Sequence, residues 1–257
     1  MALEAPDRAK ILVEDLCFFY GKKQTLHNNH LPIAEHRVTA IVGPSGCGKS
    51  THLRTYNRMF DLYPGQIATG RVLLDGVNIL DRRVMDGLEL RSRVGMVLQY
   101  PTPFPMSIWD NVAFGPKLAG LDQTEVERRV IHGLQQARLW DDVRHRLRQD
   151  ASVLSVVQQQ TMCVARALAM DPEVLLLDEP CEFLDPSAGD GIEQLVRSMS
   201  GVMTVVLATR NAHLAARISD YTAVMFDGEV AEHASTDVLF TRPALRRTED
   251  FISGHFG

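Results

Sequence analysis

Gly43-Pro44-Ser45-Gly46-Cys47-Gly48-Lys49-Ser50 decides the fold. The stretch fits G-x-x-x-x-G-K-[ST] at every fixed position, and its chemistry follows from the residue types. Glycines clear the way for backbone N–H groups to converge on phosphate oxygens. Lys49 adds a positive charge for the outer phosphates, and the Ser50 hydroxyl can hold Mg²⁺. The flanks agree. Val38-Thr39-Ala40-Ile41-Val42 is a buried-strand run ahead of the loop. Ser50 to Phe60 reads as a helix behind it, and a helix N-terminus favours an anion.

Outward from this loop, short apolar runs alternate with helical patterns, which implies an α/β protein with a largely parallel sheet. Val94–Leu98, Val174–Leu177 and Met203–Ala208 read as further strands. Asp122 to Arg138 is the clearest helix, with Val126, Val130, Leu134 and Ala137 on one face. From Pro101 to about Ala169 no strand is evident, only a proline-rich loop and then helices, so this region reads as a helical insertion. Ile11 to Ile33 reads as short strands joined by a turn at Gly21. Residues 221–257 are too few for another independent domain.

Glu173-Val174-Leu175-Leu176-Leu177-Asp178-Glu179-Pro180 is an apolar strand ending in two carboxylates. Behind a P-loop this pattern becomes specific. Asp178 would join the Mg²⁺ shell at the carboxyl end of the strand, where open α/β sheets bind ligands. Glu179 would orient or deprotonate an attacking water. Lys49 and Asp178 lie much further apart than one βαβ unit of roughly 30 residues. A nucleotidase with a helical subdomain between its two motifs fits that gap.

Composition removes several classes. The chain has 257 residues, 45% hydrophobic and 23% charged, so it can bury a full core and is neither a disulfide scaffold nor a disordered tail. Its net charge of −5 gives no broad basic footprint for nucleic acid. Cys17, Cys47, Cys163 and Cys181 form no Cys-x-x-Cys pair and read as free thiols in a reducing compartment. Met1 to Lys10 is polar and mixed in charge, unlike a signal peptide. No apolar run nears the roughly 20 residues that cross a bilayer, so the expectation is a soluble, cytosol-facing protein. His27, His30, His36 and His145 show no metal-ligand spacing. His52 is near phosphate by position, or else a helix-packing residue. Arg144, Arg146 and Arg148 alternate around His145 and read as a solvated face.

Together these motifs resemble the ATP-binding subunits of ABC transporters, and more narrowly the phosphate-import branch of that family. The family-level marks are the P-loop, Gln99 after a strand, Ala165-Arg166-Ala167-Leu168-Ala169, and Asp178-Glu179-Pro180 before Leu184-Asp185. The narrower marks are Arg54-Thr55-Tyr56-Asn57-Arg58-Met59, the run from Pro101 to Ile108, and Thr248-Glu249-Asp250-Phe251-Ile252-Ser253-Gly254. The resemblance implies one ABC ATPase domain over 1–257. Its RecA-like P-loop core would span about 1–99 and 170–257, with an N-terminal antiparallel β subdomain and a helical subdomain at about 100–169. It implies ATP and Mg²⁺ as cofactors. Tyr20 would stack on adenine, and Gly43, Pro44, Ser45, Gly46, Cys47, Gly48, Lys49, Ser50 and Thr51 would wrap the phosphates. Ser50, Gln99 and Asp178 would hold the metal. Glu179 would be catalytic, and Ser155 and Arg210 would complete the nucleotide contacts. The loop from Gln99 to Asn111 would receive a membrane subunit, with Phe104, Met106, Ile108 and Trp109 as apolar anchors or as subdomain core.

The departures from the family pattern share a theme. The signature Leu-Ser-Gly-Gly-Gln reads Leu154-Ser155-Val156-Val157-Gln158 here, and the following arginine is Thr161. Two β-branched residues put bulk where a phosphate should sit. The switch histidine of Thr-His-Asn is Arg210, which can meet a phosphate but cannot relay a proton as imidazole does. Glu182-Phe183 replace Ser-Ala. The expectation is an ATPase energising phosphate import at the cytoplasmic face of the bacterial inner membrane. The alternative is a hydrolysis-impaired regulatory or heterodimer subunit. Expected partners are a second copy or an intact ATPase paralogue, two transmembrane permease subunits and, indirectly, a periplasmic phosphate-binding protein. No nucleic-acid partner is expected, because there is one P-loop and no sustained heptads. No residue of this chain is expected to touch the solute.

Overall fold

The computed structural model describes residues 2–3, 6, 8–180 and 186–254. Cys181, Glu182, Phe183, Leu184 and Asp185 lie outside the described residues. In chain order the strands are β1 (Ala2–Leu3), β2 (Ala9–Tyr20), β3 (Lys23–Ala34), β4 (Val38–Val42), β5 (Gln66–Leu74), β6 (Val77–Asn78), β7 (Val94–Val97), β8 (Val174–Asp178), β9 (Thr204–Thr209), β10 (Tyr221–Phe226) and β11 (Glu229–Ser235). The helices are α1 (Lys49–Thr55), α2 (Gly87–Arg93), α3 (Ile108–Leu118), α4 (Gln123–Gln136), α5 (Trp140–Val143), α6 (Val156–Leu168), α7 (Pro186–Met199), α8 (Ala212–Ile218), α9 (Thr236–Thr241) and α10 (Arg246–Ile252). The chain gathers into two compact units, residues 1–91 with 199–257 and residues 92–198.

The first unit holds two sheets. One is antiparallel, in the order β3-β2-β5-β6. Its β2–β3 hairpin turns at Gly21, but the arms are 12 residues each rather than short strands. The alternation of β2 breaks at Glu14-Asp15, and register shifts between Val13 and Phe18, with Asp15 at φ 52°, let the strand continue past the break. The other sheet is mixed. Its strand β4 lies between β10 and β9 and runs parallel to both, while β11 is antiparallel to β10 and parallel to β1. Every residue of β4 is fully buried, the polar Thr39 included, as befits a central strand. Ala40, Val42, Val224 and Phe226 pack with Ala215 of α8 and Leu239 of α9, and Phe251 of α10 closes edge-on over Phe226.

The helix expected to run from Ser50 to Phe60 stops at Thr55. Arg58 takes a left-handed backbone (φ 51°), and a 3₁₀ turn, Met59–Leu62, follows. The cause is tertiary. The Arg58 side chain is buried, pairs with Asp61 at 2.8 Å, and donates to the carbonyls of Ile79 and Met85. Satisfying those acceptors requires the chain to leave the helical path.

In the second unit β7 and β8 run parallel, in register from Val94–Val174 to Val97–Leu177. Between them the chain forms α3 to α6, and the only described strand-like feature there is an isolated bridge between Ser107 and Asp150. The Asp122 side chain caps α4 by accepting from Glu125 N, and Val126, Val130 and Leu134 are buried on its inner face.

Candidate functional site

The P-loop leaves the end of β4 with no room for a side chain at Gly43 and with a backbone at Gly48 that favours glycine. A Cβ on Gly43 would lie 2.2 Å from the Met225 carbonyl oxygen. Gly48 sits at φ 109°, and a Cβ there would lie 2.9 Å from Leu26 Cδ2. The Lys49 ammonium is folded into the curl and donates to the carbonyls of Gly43 at 2.9 Å and Pro44 at 3.1 Å. Burial, only partly opposed by neighbouring Lys49, pushes the Cys47 thiol up, so it stays neutral and adds no negative charge to the cradle.

A clamp behind the loop was not evident in the sequence. Gly228 N donates to the Cys47 carbonyl at 2.9 Å, tying the loop to the turn between β10 and β11. The buried Asn29 side chain donates to Gly228 O at 2.8 Å and accepts from Val230 N. A lone asparagine in a strand carries no local sign of such a role.

Tyr20 sits beside the helix that follows the loop. Its hydroxyl is 3.0 Å from Thr51 Oγ1, and its ring packs edge-on against Phe18. The residue remains 37% exposed, enough for a planar base to stack on it. Val42 pairs with Thr209, so Gly43 and Arg210 follow the ends of adjacent parallel strands, and Arg210 is exposed there. His52 resolves the other way. It is fully buried, with Nδ1 2.9 Å from the Tyr56 hydroxyl, and burial lowers its pKa to about 3. It is therefore neutral at physiological pH and belongs to the packing.

The second unit brings Gln99, Asp178 and Glu179 to one end of a strand pair. Val97 is in register with Leu177, so the chain leading to Gln99 leaves β7 beside the end of β8 at Asp178. Asp178 and Glu179 are both buried. Glu179 takes a left-handed backbone (φ 45°) directly before Pro180, a conformation costing about 1 kcal/mol or more for a residue other than glycine. Gln160 of α6, buried and donating to the Leu98 carbonyl at 3.0 Å, fixes the chain just ahead of Gln99. The run Gln158-Gln159-Gln160 gave no reason to single out its third member.

The segment 154–158 is an ordinary helix start. Ser155 caps α6 in a reciprocal capping box with Gln158, both bonds being 3.3 Å. Val156 is 53% exposed in the first turn. Thr161 donates back to the Val157 carbonyl at 2.9 Å.

The loop from Gln99 to Asn111 is pinned from within its own unit. The Asn111 amide accepts from Phe104 N and donates to the carbonyls of Phe104, Met106 and Ser107. Arg166 of α6 donates to Thr102 O at 2.9 Å and lies 4.3 Å from the Phe104 ring centroid. Helix α6 thus grips this loop directly. Ile108 is fully buried and serves the core, whereas Phe104, Met106 and Trp109 keep partial exposure.

Taken separately, the first unit's donors suit phosphate oxygens and the second unit's suit Mg²⁺. One unit supplies a backbone cradle that side chains would fill, with an ammonium curled into it. The other supplies two strand-end carboxylates and an amide, the hard oxygen ligands that Mg²⁺ prefers. A family model described as ABC transporter matches residues 26–182. Among solved structures, cbiO1 from Clostridium perfringens, part of the ABC transporter complex cbiONQ, is 28% identical with a TM-score of 0.79, covering 97% of this chain and 97% of its own. A bacterial Atm1-family ABC exporter with ATP bound is 26% identical with a TM-score of 0.80, over 100% of this chain and 43% of its own.

Proposed function

This chain belongs to the ABC transporter family as an ATP-binding subunit, and within that family we propose that it energises import of inorganic phosphate by binding and hydrolysing ATP. The observation that carries nucleotide binding is the side-chain-free cradle at Gly43 and Gly48 with Lys49 curled inside. The runs Arg54–Met59, Pro101–Ile108 and Thr248–Gly254 support the phosphate branch. On this reading Gly43 to Thr51 wrap the phosphates and Tyr20 stacks on the base. Ser50, Gln99 and Asp178 would hold Mg²⁺, which when bound offsets phosphate charge. Glu179, its backbone held in one unusual conformation, orients the attacking water and accepts its proton.

The proposed arrangement is one ABC domain, with a core over about 1–99 and 170–257 and a helical subdomain over about 100–169. It works as a dimer at the cytoplasmic face of the inner membrane with two permease subunits, supplied by a periplasmic phosphate-binding protein and using no nucleic acid. No described helix is long and apolar enough to cross a membrane. The loop gripped by Arg166 and Asn111 receives the membrane subunit, and α6 carries its movement towards Ser155.

A second reading rests on Val156, Val157 and Arg210. A chain that binds ATP but turns it over poorly would act as a regulatory subunit or pair with an intact paralogue. Steady-state hydrolysis measured beside ATP affinity decides between the two. Brisk turnover abolished by Glu179→Gln, with affinity kept, supports the first. Tight binding with negligible turnover supports the second, and no ATP binding overturns both. Reconstitution with the permease pair and binding protein tests the solute: uptake of a metal cation in place of phosphate would remove the phosphate assignment.

A further inference from the structure

The helical unit holds a cavity of about 920 Å³ walled by α3, α4 and the segment 144–149. Lys117, Arg144, Arg146 and Arg148 line it against one carboxylate, Glu127. That is a marked local excess of positive charge in a chain whose net charge is −5. Trp109, Leu121 and Val126 give the same cavity an apolar wall.

The segment carrying the arginines is held by its backbone, so their side chains are not needed to fold it. Ile108 N and Trp109 N each donate at 2.9 Å, to the carbonyls of Gln149 and Leu147, and Gln149 N donates to Arg146 O. The Arg144 side chain is 53% exposed, and its nearest carboxylate, Asp141, is 3.9 Å away. Arg148 lies 5.5 Å from the Trp109 ring centroid and makes no direct ion pair among the described residues, acting only at longer range on Asp110, whose carboxyl is held below its ordinary value chiefly by Lys117 and Ser107. Lys117 is held by Asp110 at 2.7 Å, and Arg146 makes only long contacts with Asp142 O and Gln158 Oε1. Arg144 and Arg148 are thus the cations least committed to other groups.

We propose that this cavity binds a phosphate-bearing ligand, with Arg144 and Arg148 gripping the phosphate and Trp109, Leu121 and Val126 receiving its apolar part. Guanidinium forks suit a phosphate because its oxygens accept from several donors at once, whereas a carboxylate occupies a single fork. The volume is that of a small-molecule pocket rather than a protein interface. The same chemistry is presented by a soluble phosphate compound and by an anionic phospholipid headgroup.

The test uses the full chain carrying Trp140→Phe, which leaves Trp109 as its only tryptophan. Pyrophosphate, titrated against Trp109 fluorescence, should give a saturable change. Arg144→Gln with Arg148→Gln should weaken it at least about tenfold, the loss of one charge-assisted hydrogen bond or more. Lys49→Ala, which disables the P-loop, should leave it unchanged. Co-sedimentation with phosphatidylglycerol vesicles, against pure phosphatidylcholine, separates the sources: arginine-dependent vesicle binding assigns the headgroup, and a response to pyrophosphate alone assigns a soluble ligand. No saturable response in either arm overturns the proposal. So does a response lost in Lys49→Ala but kept in the arginine variant, or an equal response to polyglutamate.

Discussion

The P-loop and the segment 154–158 are both turns that lead into a helix, yet they constrain their residues in opposite ways. At Gly43 the surrounding fold forbids a side chain, with a backbone carbonyl 2.2 Å from the would-be Cβ, and at Gly48 a φ of 109° strains any residue but glycine. At Val156 and Val157 it forbids nothing. Ser155 caps α6 with an extended backbone, and Val156 faces outward in the first helical turn. Glycine in the P-loop is demanded by this chain's own packing. Glycine in the family's signature loop is not, so a requirement for it must come from whatever the loop closes upon. The valines are therefore compatible with folding and informative about function alone.

That contrast can be broken in four places. The largest effect is expected behind the P-loop, where Asn29→Ala takes the buried Val230 N from its acceptor and leaves Gly228 O with only its bond from His27 N. Stability should fall by about 2–3 kcal/mol, read by chemical denaturation, and ATP affinity should fall with it. A variant that loses stability but keeps affinity would separate the clamp from the cradle. Val156→Gly with Val157→Gly should do the reverse, raising turnover about tenfold or more while lowering stability by about 0.5–1 kcal/mol. Unchanged turnover would mean that the bulk at this turn is harmless.

His52 sharpens the comparison from the packed side of α1. Its folded pKa of about 3 lies below the ordinary value of 6.5, so the unfolded chain binds a proton there that the folded chain does not. Its contribution is complete above pH about 6.5 and is lost as pH falls towards 3. His52→Gln should flatten the pH dependence of stability between pH 4 and 6 by about one proton, ~1.4 kcal/mol per pH unit. An unchanged slope would mean that another group governs acid unfolding. The smallest effect is expected at Ser155→Ala, which removes the cap of α6 and should cost about 1 kcal/mol. A much larger loss would show that the turn at 154–158 supports more than its own helix.

Much of the architecture was legible because it depends on neighbours in sequence. The runs Val38–Val42, Val94–Leu98 and Val174–Leu177 became β4, β7 and β8 within a residue, and Asp122 to Arg138 became α4 with its cap. Failures came where a distant contact overrode a local pattern. Arg58 broke the helix after the P-loop to reach carbonyls at Ile79 and Met85, and register shifts in β2 let the expected short strands of 11–33 extend into 12-residue arms.

The sequence by itself determined the glycine–lysine cradle, the strand ending in Asp178 and Glu179, and the departures at Val156, Val157 and Arg210. Each is a property of residue types at fixed short spacing. Only the tertiary structure decided that Asn29 meets Gly228, 199 positions away, in the turn behind the P-loop, that Gln160 fixes the approach to Gln99, that His52 is neutral, and that Arg144 and Arg148 border a cavity. Burial and hydrogen-bond satisfaction depend on which residues meet in space, and for partners this far apart along the chain no local pattern encodes the meeting.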